Sequence, residues 1–493
     1  MNGRTRAAVL SVGTLLMAAC GGGSGVSVGT PDVSLPPGST APGSDVTEST
    51  SVIDTGEPTM PSMEPDLIDE LVIVDTGFSV ETSDTGRTEV SAGAEVSNPT
   101  DYYVEYLSYD VRFLGAGGVE LESSMGTEFA IPPGGTGVLT GWQLFREGET
   151  IPTDVEFVIG DAGFTDGSAA LAGSDDPIDL RKVSVAVGET RYSADYNDEH
   201  RFIGTLANEG TERVTRLTVS CLFLSSGAIV GGSTSLVTEV LPGETAGFIV
   251  RPRLREGAPP DATRCVAAPS YDSVLTAATD RGLEVVTTGL STAARNYAGG
   301  FDTSAGAIVR NSSELAAIDV RYQVDVLDAD GMVLEVVDDD GYVMPGEEAS
   351  VAPVIVTSQH DPVAASVRLR FSVGRFEDPT AATGVVGSEP FDLTIGSAFG
   401  TDNRRWEVEY GNGYTTVDVT NSAPVAVLGG LQLSCTLLSG GQATGGGSWS
   451  AVGEIPAGGR TEVQIISVFR GTPVHDDIWC TVHINSLFET ASG

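Results

Sequence analysis

Leu206-Ala-Asn-Glu-Gly-Thr-Glu-Arg-Val-Thr-Arg-Leu-Thr-Val-Ser-Cys-Leu-Phe-Leu224 reads as the end of one strand, a turn and a second strand. Asn208 opens the turn, because an Asn side chain bonds the backbone two residues on and tolerates left-handed angles. Beyond it Leu217, Val219, Cys221 and Phe223 alternate with Thr218 and Ser220. A period of two sends one set toward a core and the other toward solvent.

The pattern returns at Asn98, Asn311 and Asn421, so that the four Asn stand 110, 103 and 110 residues apart. Each is followed by an alternating run: Leu107, Tyr109, Val111 and Phe113; Val320, Tyr322, Val324 and Val326; Leu431, Leu433, Cys435 and Leu437. The positions between are mostly polar, among them Ser108, Asp110, Arg112, Gln323, Asp325, Ser434 and Thr436. Every run ends in a glycine-bearing turn suited to a hairpin. About 34 or 35 residues after each Asn comes a Pro-Gly punctuation: Ile131-Pro-Pro-Gly, Leu241-Pro-Gly, Met344-Pro-Gly and Ile455-Pro-Ala-Gly. A period of this size means tandem domains, not a solenoid of short repeats.

The expected class is therefore all-β: four tandem antiparallel sandwiches, at 67–160, 178–268, 283–373 and 390–487, each with some seven short strands. Gly411-Asn412-Gly413 is expected to turn a hairpin in the last of them. No stretch shows a sustained apolar period of 3.6, so helix is expected to be scarce. Placed in line, four such domains would project on the order of 150 Å.

Ahead of the domains, residues 1–19 read as a signal peptide: Arg4 and Arg6, then an apolar run too short to span a bilayer. Met17-Ala-Ala-Cys20 resembles a bacterial lipobox, which implies a lipid on Cys20 and a membrane partner through it. Residues 20–66, rich in Gly, Ser, Thr and Pro with seven acids and no Lys or Arg, read as a disordered tether. The core of each repeat resembles the FxLYD domain, a secreted module thought to be immunoglobulin-like and often found on lipoproteins. Tyr106-Leu-Ser-Tyr-Asp110 is the nearest match to its literal motif. The resemblance implies a fold and no chemistry.

With Cys20 assigned to lipid, four cysteines remain. Cys221 and Cys265 are 44 residues apart, and Cys435 and Cys480 are 45 apart. Each pair begins on the inward face of the strand after the Asn, so two disulfides are expected, closing equivalent loops in the second and fourth repeats. Val111 with Val155, and Val324 with Val367, are the expected substitutes in the other two. Export permits oxidation.

Residues that carry chemistry are few, and no catalytic or cofactor-binding motif is read. His200, His360, His475 and His483 sit in no recognisable catalytic pattern. Asp328, Asp330, Asp338 and Asp340 lie in Asp-Gly runs that suit turns and, more weakly, Ca²⁺. Trp142, Trp406, Trp449 and Trp479 are read as core fillers before glycan anchors. Acids number 68 against 26 basic residues, of which only Lys182 is a lysine, for a net charge of −42. That sign repels nucleic acid and anionic headgroups. The expectation is a non-enzymatic lipoprotein at the cell surface or outer membrane, a scaffold or a module binding a protein or glycan. The alternatives are an envelope hydrolase or accessory subunit, in which His475 or His483 would matter, and a lipoprotein that captures a small ligand or cation.

Overall fold

The computed structural model describes residues 67–82, 86–168, 179–194, 200–252, 259–270, 275–276, 282–294, 301–357, 362–378, 393–395, 412–421, 431–452, 455–468 and 475–484. The signal peptide, Cys20, the whole of the tether, His360, Trp406, the Trp449 side chain and Gly411 lie outside them. Among the described residues there is no α-helix, only strands and two single 3-10 turns, Ile68–Glu70 and Leu180–Lys182.

The first repeat supplies β1 (Val72–Thr82), β2 (Thr88–Ser97), β3 (Tyr103–Leu114), β4 (Glu120–Ile131), β5 (Thr136–Phe145) and β6 (Asp154–Thr165). The second supplies β7 (Val185–Val187), β8 (Arg191–Ala194), β9 (His200–Asn208), β10 (Arg213–Ser225), β11 (Ala228–Val240), β12 (Thr245–Val250), β13 (Ala262–Pro269) and β14 (Leu275–Thr276). In the third are β15 (Leu283–Ala294), β16 (Phe301–Asn311), β17 (Ala316–Leu327), β18 (Val333–Val343), β19 (Glu348–Val351), β20 (Val354–Thr357) and β21 (Ser366–Glu377). The fourth has β22 (Leu393–Ile395), β23 (Asn412–Asn421), β24 (Leu431–Ser439), β25 (Gln442–Val452), β26 (Arg460–Val468) and β27 (Asp477–Ile484).

Connectivity is the same in every copy. Two antiparallel sheets form, one ordered β1-β2-β5 and the other β4-β3-β6, with β12-β9-β7 and β11-β10-β13, β15-β16-β19 and β18-β17-β21, β22-β23-β26 and β25-β24-β27 as their counterparts. We call the first kind the A sheet and the second the B sheet. Counting the split strands β7/β8 and β19/β20 as one each, the described strands number six in the first, third and fourth repeats, and seven in the second, where β14 pairs with β10. Asn412 and Gly413 lie within β23, paired with Val468 and Ser467, so they do not turn a hairpin.

Apolar residues from both sheets of a repeat meet between them. Val90, Ala92, Ala94 and Leu139 of the A sheet pack with Leu107, Val111, Phe113 and Phe157 of the B sheet in the first. Equivalent clusters form around Val219, Cys221, Phe223 and Phe248 in the second, and Val309, Tyr322, Val324 and Val351 in the third. In the fourth, Val419, Leu433, Leu437 and Ile465 are likewise buried.

The punctuation residues do more than turn the chain. The Pro-Gly sites are type II turns: Gly134, Gly243, Gly346 and Gly458 have φ of 65°, 76°, 73° and 67°, where glycine carries no steric cost. Each marker Asn is buried against the turn of its own repeat. Asn98 Nδ2 donates to the carbonyls of Tyr102 (2.8 Å), Ile131 (3.2 Å) and Pro132 (3.1 Å). Asn208 does the same to Glu212 (2.7 Å) and Val240 (3.0 Å), and Asn311 to Leu315 and Val343 (both 2.8 Å). Asn421 reaches Ile455 (3.1 Å) and Pro456 (3.2 Å). The expected bond to the backbone two residues on is made at Thr100, Gly210 and Ser313, and residue 423, its counterpart after Asn421, lies outside the described residues.

Both disulfides expected from the spacing are present. Cys221–Cys265 and Cys435–Cys480 have Cα atoms 4.1 and 4.0 Å apart, facing one another on neighbouring strands of a B sheet. The expected valine substitutes are two residues out of register. Val111 faces Phe157, and Val324 faces Leu369, while Val155 faces Phe113 and Val367 faces Val326. The loops between the paired strands differ in length among copies, and a count from the first cysteine does not correct for this.

Candidate functional site

The polar rows expected to face solvent do not face it in three of the four copies. Ser220, Gln323, Asp325, Ser434 and Thr436 are all buried. Alternation is right, but the outward side of each of these B sheets lies against the preceding repeat: on its A sheet in the second and fourth, and on β9, β12 and the adjoining β11 in the third. Repeats thus meet sheet to sheet rather than end to end in line, and residues 62–493 form one compact unit.

The junctions of the first repeat with the second, and of the third with the fourth, are built alike. Ser91 Oγ donates to the Gly232 carbonyl (3.3 Å) and accepts from the Gly232 amide (3.4 Å). Ser304 makes the same pair of bonds with Gly446. Two residues on, Gly93 and Gly306 lie on the backbone of Gly231 and Gly445. A Cβ on Gly93 would stand 2.7 Å from the Gly231 carbonyl oxygen, and one on Gly306 would collide with that of Gly445. Small apolar groups flank each contact: Val138, Leu222, Leu224 and Ile229 in one, Ile308, Leu438 and Ala443 in the other.

A carboxyl is buried in the first of these junctions. Glu128 on β4 accepts from Ser220 Oγ at 3.1 Å, and burial pushes its carboxyl up to about 8. The third junction is closed by hydroxyls: Ser350 Oγ and Thr436 Oγ1 are 2.8 Å apart, and Thr436 donates to the Ala307 carbonyl at 2.9 Å.

The middle junction is charged. Asp325 on β17 takes Arg368 at 2.6 Å and is also paired with Arg370; Arg370 Nη1 donates to the Glu239 carbonyl at 3.1 Å. Arg201, fully buried on β9, pairs with Glu335 on β18, which Arg251 reaches at 3.3 Å. Burial raises the Glu335 carboxyl even though both arginines oppose the shift. Gln323 links the sheets by donating to the Leu236 carbonyl (3.1 Å) and to Asp338 (2.9 Å). Ile203, Ile249 and Val333 pack alongside.

The structure does not bring the four candidate calcium ligands together. Asp328 Oδ1 caps its own turn, accepting from the amides of Asp330 (2.9 Å) and Met332 (2.8 Å). Asp338 and Asp340 sit five residues or more into β18, about 17 Å along the strand. Among the described residues no group of three or more His, Cys, Asp or Glu is placed to hold a metal. His200 shares a hydrogen bond with the Tyr192 hydroxyl at 2.9 Å. His475 precedes β27 and His483 lies near its far end, so the strand holds them apart; burial lowers the affinity of His475 for a proton. Trp142 and Trp479, expected in cores, are 39% and 41% exposed.

The junction residues left a mark in the sequence. Ser91-Ala-Gly-Ala94 and Ser304-Ala-Gly-Ala307 are the same four residues, seven positions before Asn98 and Asn311. Their glycine partners, Gly231-Gly232 and Gly445-Gly446, lie at matching places in the following repeat. Nothing comparable marks the middle junction, where the place of Ser91 is taken by Arg201.

No family's sequence profile matches this chain, and no curated protein is significantly similar to it.

Proposed function

We propose that this is an exported lipoprotein in which four immunoglobulin-like, FxLYD-like sandwiches, anchored through Cys20 on the tether 20–66, act as a non-enzymatic surface scaffold or binding module. The observation that supports a scaffold above all is the burial of the junctions. The outward faces of successive repeats are spent on one another, through paired serines, glycines and ion pairs, which suits a stiff support. Two disulfides at equivalent places fit an extracytoplasmic compartment. No helix among the described residues is long and apolar enough to cross a membrane.

The connectivity, with the first, second and fifth strands in one sheet and the third, fourth and sixth in the other, supports the immunoglobulin-like reading. One departure is clear. In antibody domains the disulfide ties the two sheets together, whereas here it ties neighbouring strands within the B sheet. The buried Asn instead pins the end of an A-sheet strand to the turn that leads back into that sheet.

The reading is tested by comparing the wild type with Cys20→Ser in cells that process lipoproteins. Wild type should sediment with membranes, take up labelled fatty acid and be shaved by protease added to intact cells. Cys20→Ser should be released or retained unlipidated. Wild type that stays in the cytoplasm, or a variant that acylates equally, would overturn it.

A further inference from the structure

In the first and third junctions the A sheet of one repeat covers the B sheet of the next, and in the middle one β9 and β12 of the A sheet, with the adjoining β11, cover the B sheet of the third repeat. Among the described residues, three such contacts between four repeats leave two faces over. These are the B sheet of the first repeat, β4-β3-β6, and the A sheet of the fourth, β22-β23-β26. A contact between unlike faces leaves one face of each kind at the two ends of the series, available to a further copy in an open chain or a ring.

The open B face carries the same kind of residues as the covered ones. Arg112 occupies the register position of Asp325, and its cross-strand neighbour Glu156 that of Arg368. Arg112 reaches Glu156 at 3.3 Å, so the third repeat's ion pair is present in the first with its charges exchanged. Asp110 stands where Gln323 does, but is only half-buried. Beside it on β4, Met125 is 89% exposed. A purely polar end cap would keep such a side chain off the face.

Disulfides alternate along the chain, absent from the first and third repeats and present in the second and fourth. The covered junction most like the vacant one is therefore the middle one, where a disulfide-bearing repeat offers its A sheet to a disulfide-free repeat. On the fourth repeat's A sheet, Val419, Val463 and Ile465 are buried, while Thr420 is half-buried and Glu462 exposed on the other side.

We propose that a second copy of this chain docks there, the A sheet of its fourth repeat on the open B sheet of the first, giving head-to-tail chains of molecules. The proposal stands on the junction geometry and does not depend on lipid anchoring. The net charge of −42 on each copy opposes the approach, so docking is expected to strengthen as salt screens it.

The test is sedimentation velocity of the full chain carrying Cys20→Ser, so that no acyl group drives association. It is run at about 0.1 mM, where a micromolar contact is saturated. Salt is varied from about 10 mM to about 1 M, over which the screening length falls from ~30 to ~3 Å. The weight-average mass should at least double at high salt and return to one chain on dilution. Met125→Arg and Ser108→Arg, on the open face and away from every buried core, should each hold the mass at one chain with an unchanged far-UV spectrum. One chain's mass throughout the salt range, or association that both variants leave intact, overturns the proposal.

Discussion

Asn208 holds three stretches of backbone with one amide: the residues just after it, the start of β10 and the end of β11. Its own amide and carbonyl are used as well, by Glu244 and Gly243 of the Pro-Gly turn. Asn208→Ala would leave buried carbonyls without donors, at about 1–3 kcal/mol each before relaxation. A loss of about 2–4 kcal/mol is expected, read as a lower urea midpoint at unchanged slope. Asp is the informative second substitution, because it keeps the acceptor and removes the donors. If Asn208→Asp costs nothing, the bonds to Glu212 and Val240 do not matter. Glu128 is the other residue whose environment predicts behaviour. Its carboxyl is raised from 4.5 to about 8 in the folded chain. The folded protein therefore keeps a proton that the unfolded chain has released, and stability declines as pH rises from about 4.5 through about 8. At 1.36 kcal/mol per unit the decline attributable to this group is about 3–5 kcal/mol. Glu128→Gln should melt higher than wild type at pH 8 and show a flatter profile between pH 5 and 8. A variant that parallels the wild type across that range would show that Glu128 is ionised in the fold.

At the level of strands, the alternation in the sequence marked which residues point inward, and the structure agrees at Leu217, Val219, Cys221 and Phe223. It could not say what lies on the other side. Ser220 and Asp325 look like solvent positions because burial against a second polar sheet requires the same residue types as exposure does. Only the repeated Ser-Ala-Gly-Ala carried that information, since a small-residue run at fixed offset has no use on a solvated strand. The register of the cysteine-equivalent pair was beyond the sequence for another reason. One residue of loop length shifts the count but not the pairing, and Val155 and Phe157 point the same way. The corrected register makes a prediction about sulfur. The structure places Val–Phe, Cys–Cys, Val–Leu and Cys–Cys at one site in the first to fourth repeats. Cys221→Val with Cys265→Leu should therefore fold with its strands in register. In the chain-entropy model it loses up to about 4 kcal/mol, because a loop of some 45 residues is no longer closed. Cys221→Asp with Cys265→Leu, which puts a charge at the fully buried position, should lose the second repeat altogether. Proteolysis of β10 and β13 under native conditions separates these outcomes.

Across the whole molecule, the repeats fall into two like pairs joined by an unlike contact. The first-with-second and third-with-fourth junctions rest on backbone meeting backbone, and the middle one on Asp325, Arg368, Arg370, Arg201 and Glu335. Gly93→Val should pry the first pair apart, since the added side chain meets the Gly231 carbonyl and Leu222. Hydrogen exchange should then rise along β2 and β11 while β17 stays protected. The middle junction should respond to charge. Asp325→Ala removes the carboxylate between two arginines, and breaking a buried pair in this way typically costs 3–5 kcal/mol. Salt distinguishes the buried charges from the surface ones. Pairs shut inside a junction are screened little, whereas the surplus carboxylates of a chain at −42 repel one another across water. The melting temperature should thus rise between about 10 mM and about 1 M NaCl, as the screening length shrinks to ~3 Å. Asp325→Ala should show the same rise from a lower starting point. If the melting temperature instead falls with salt, exposed attractions outweigh the surplus, and Arg112–Glu156, Arg264–Glu95 and Arg310–Glu348 become the pairs to remove first.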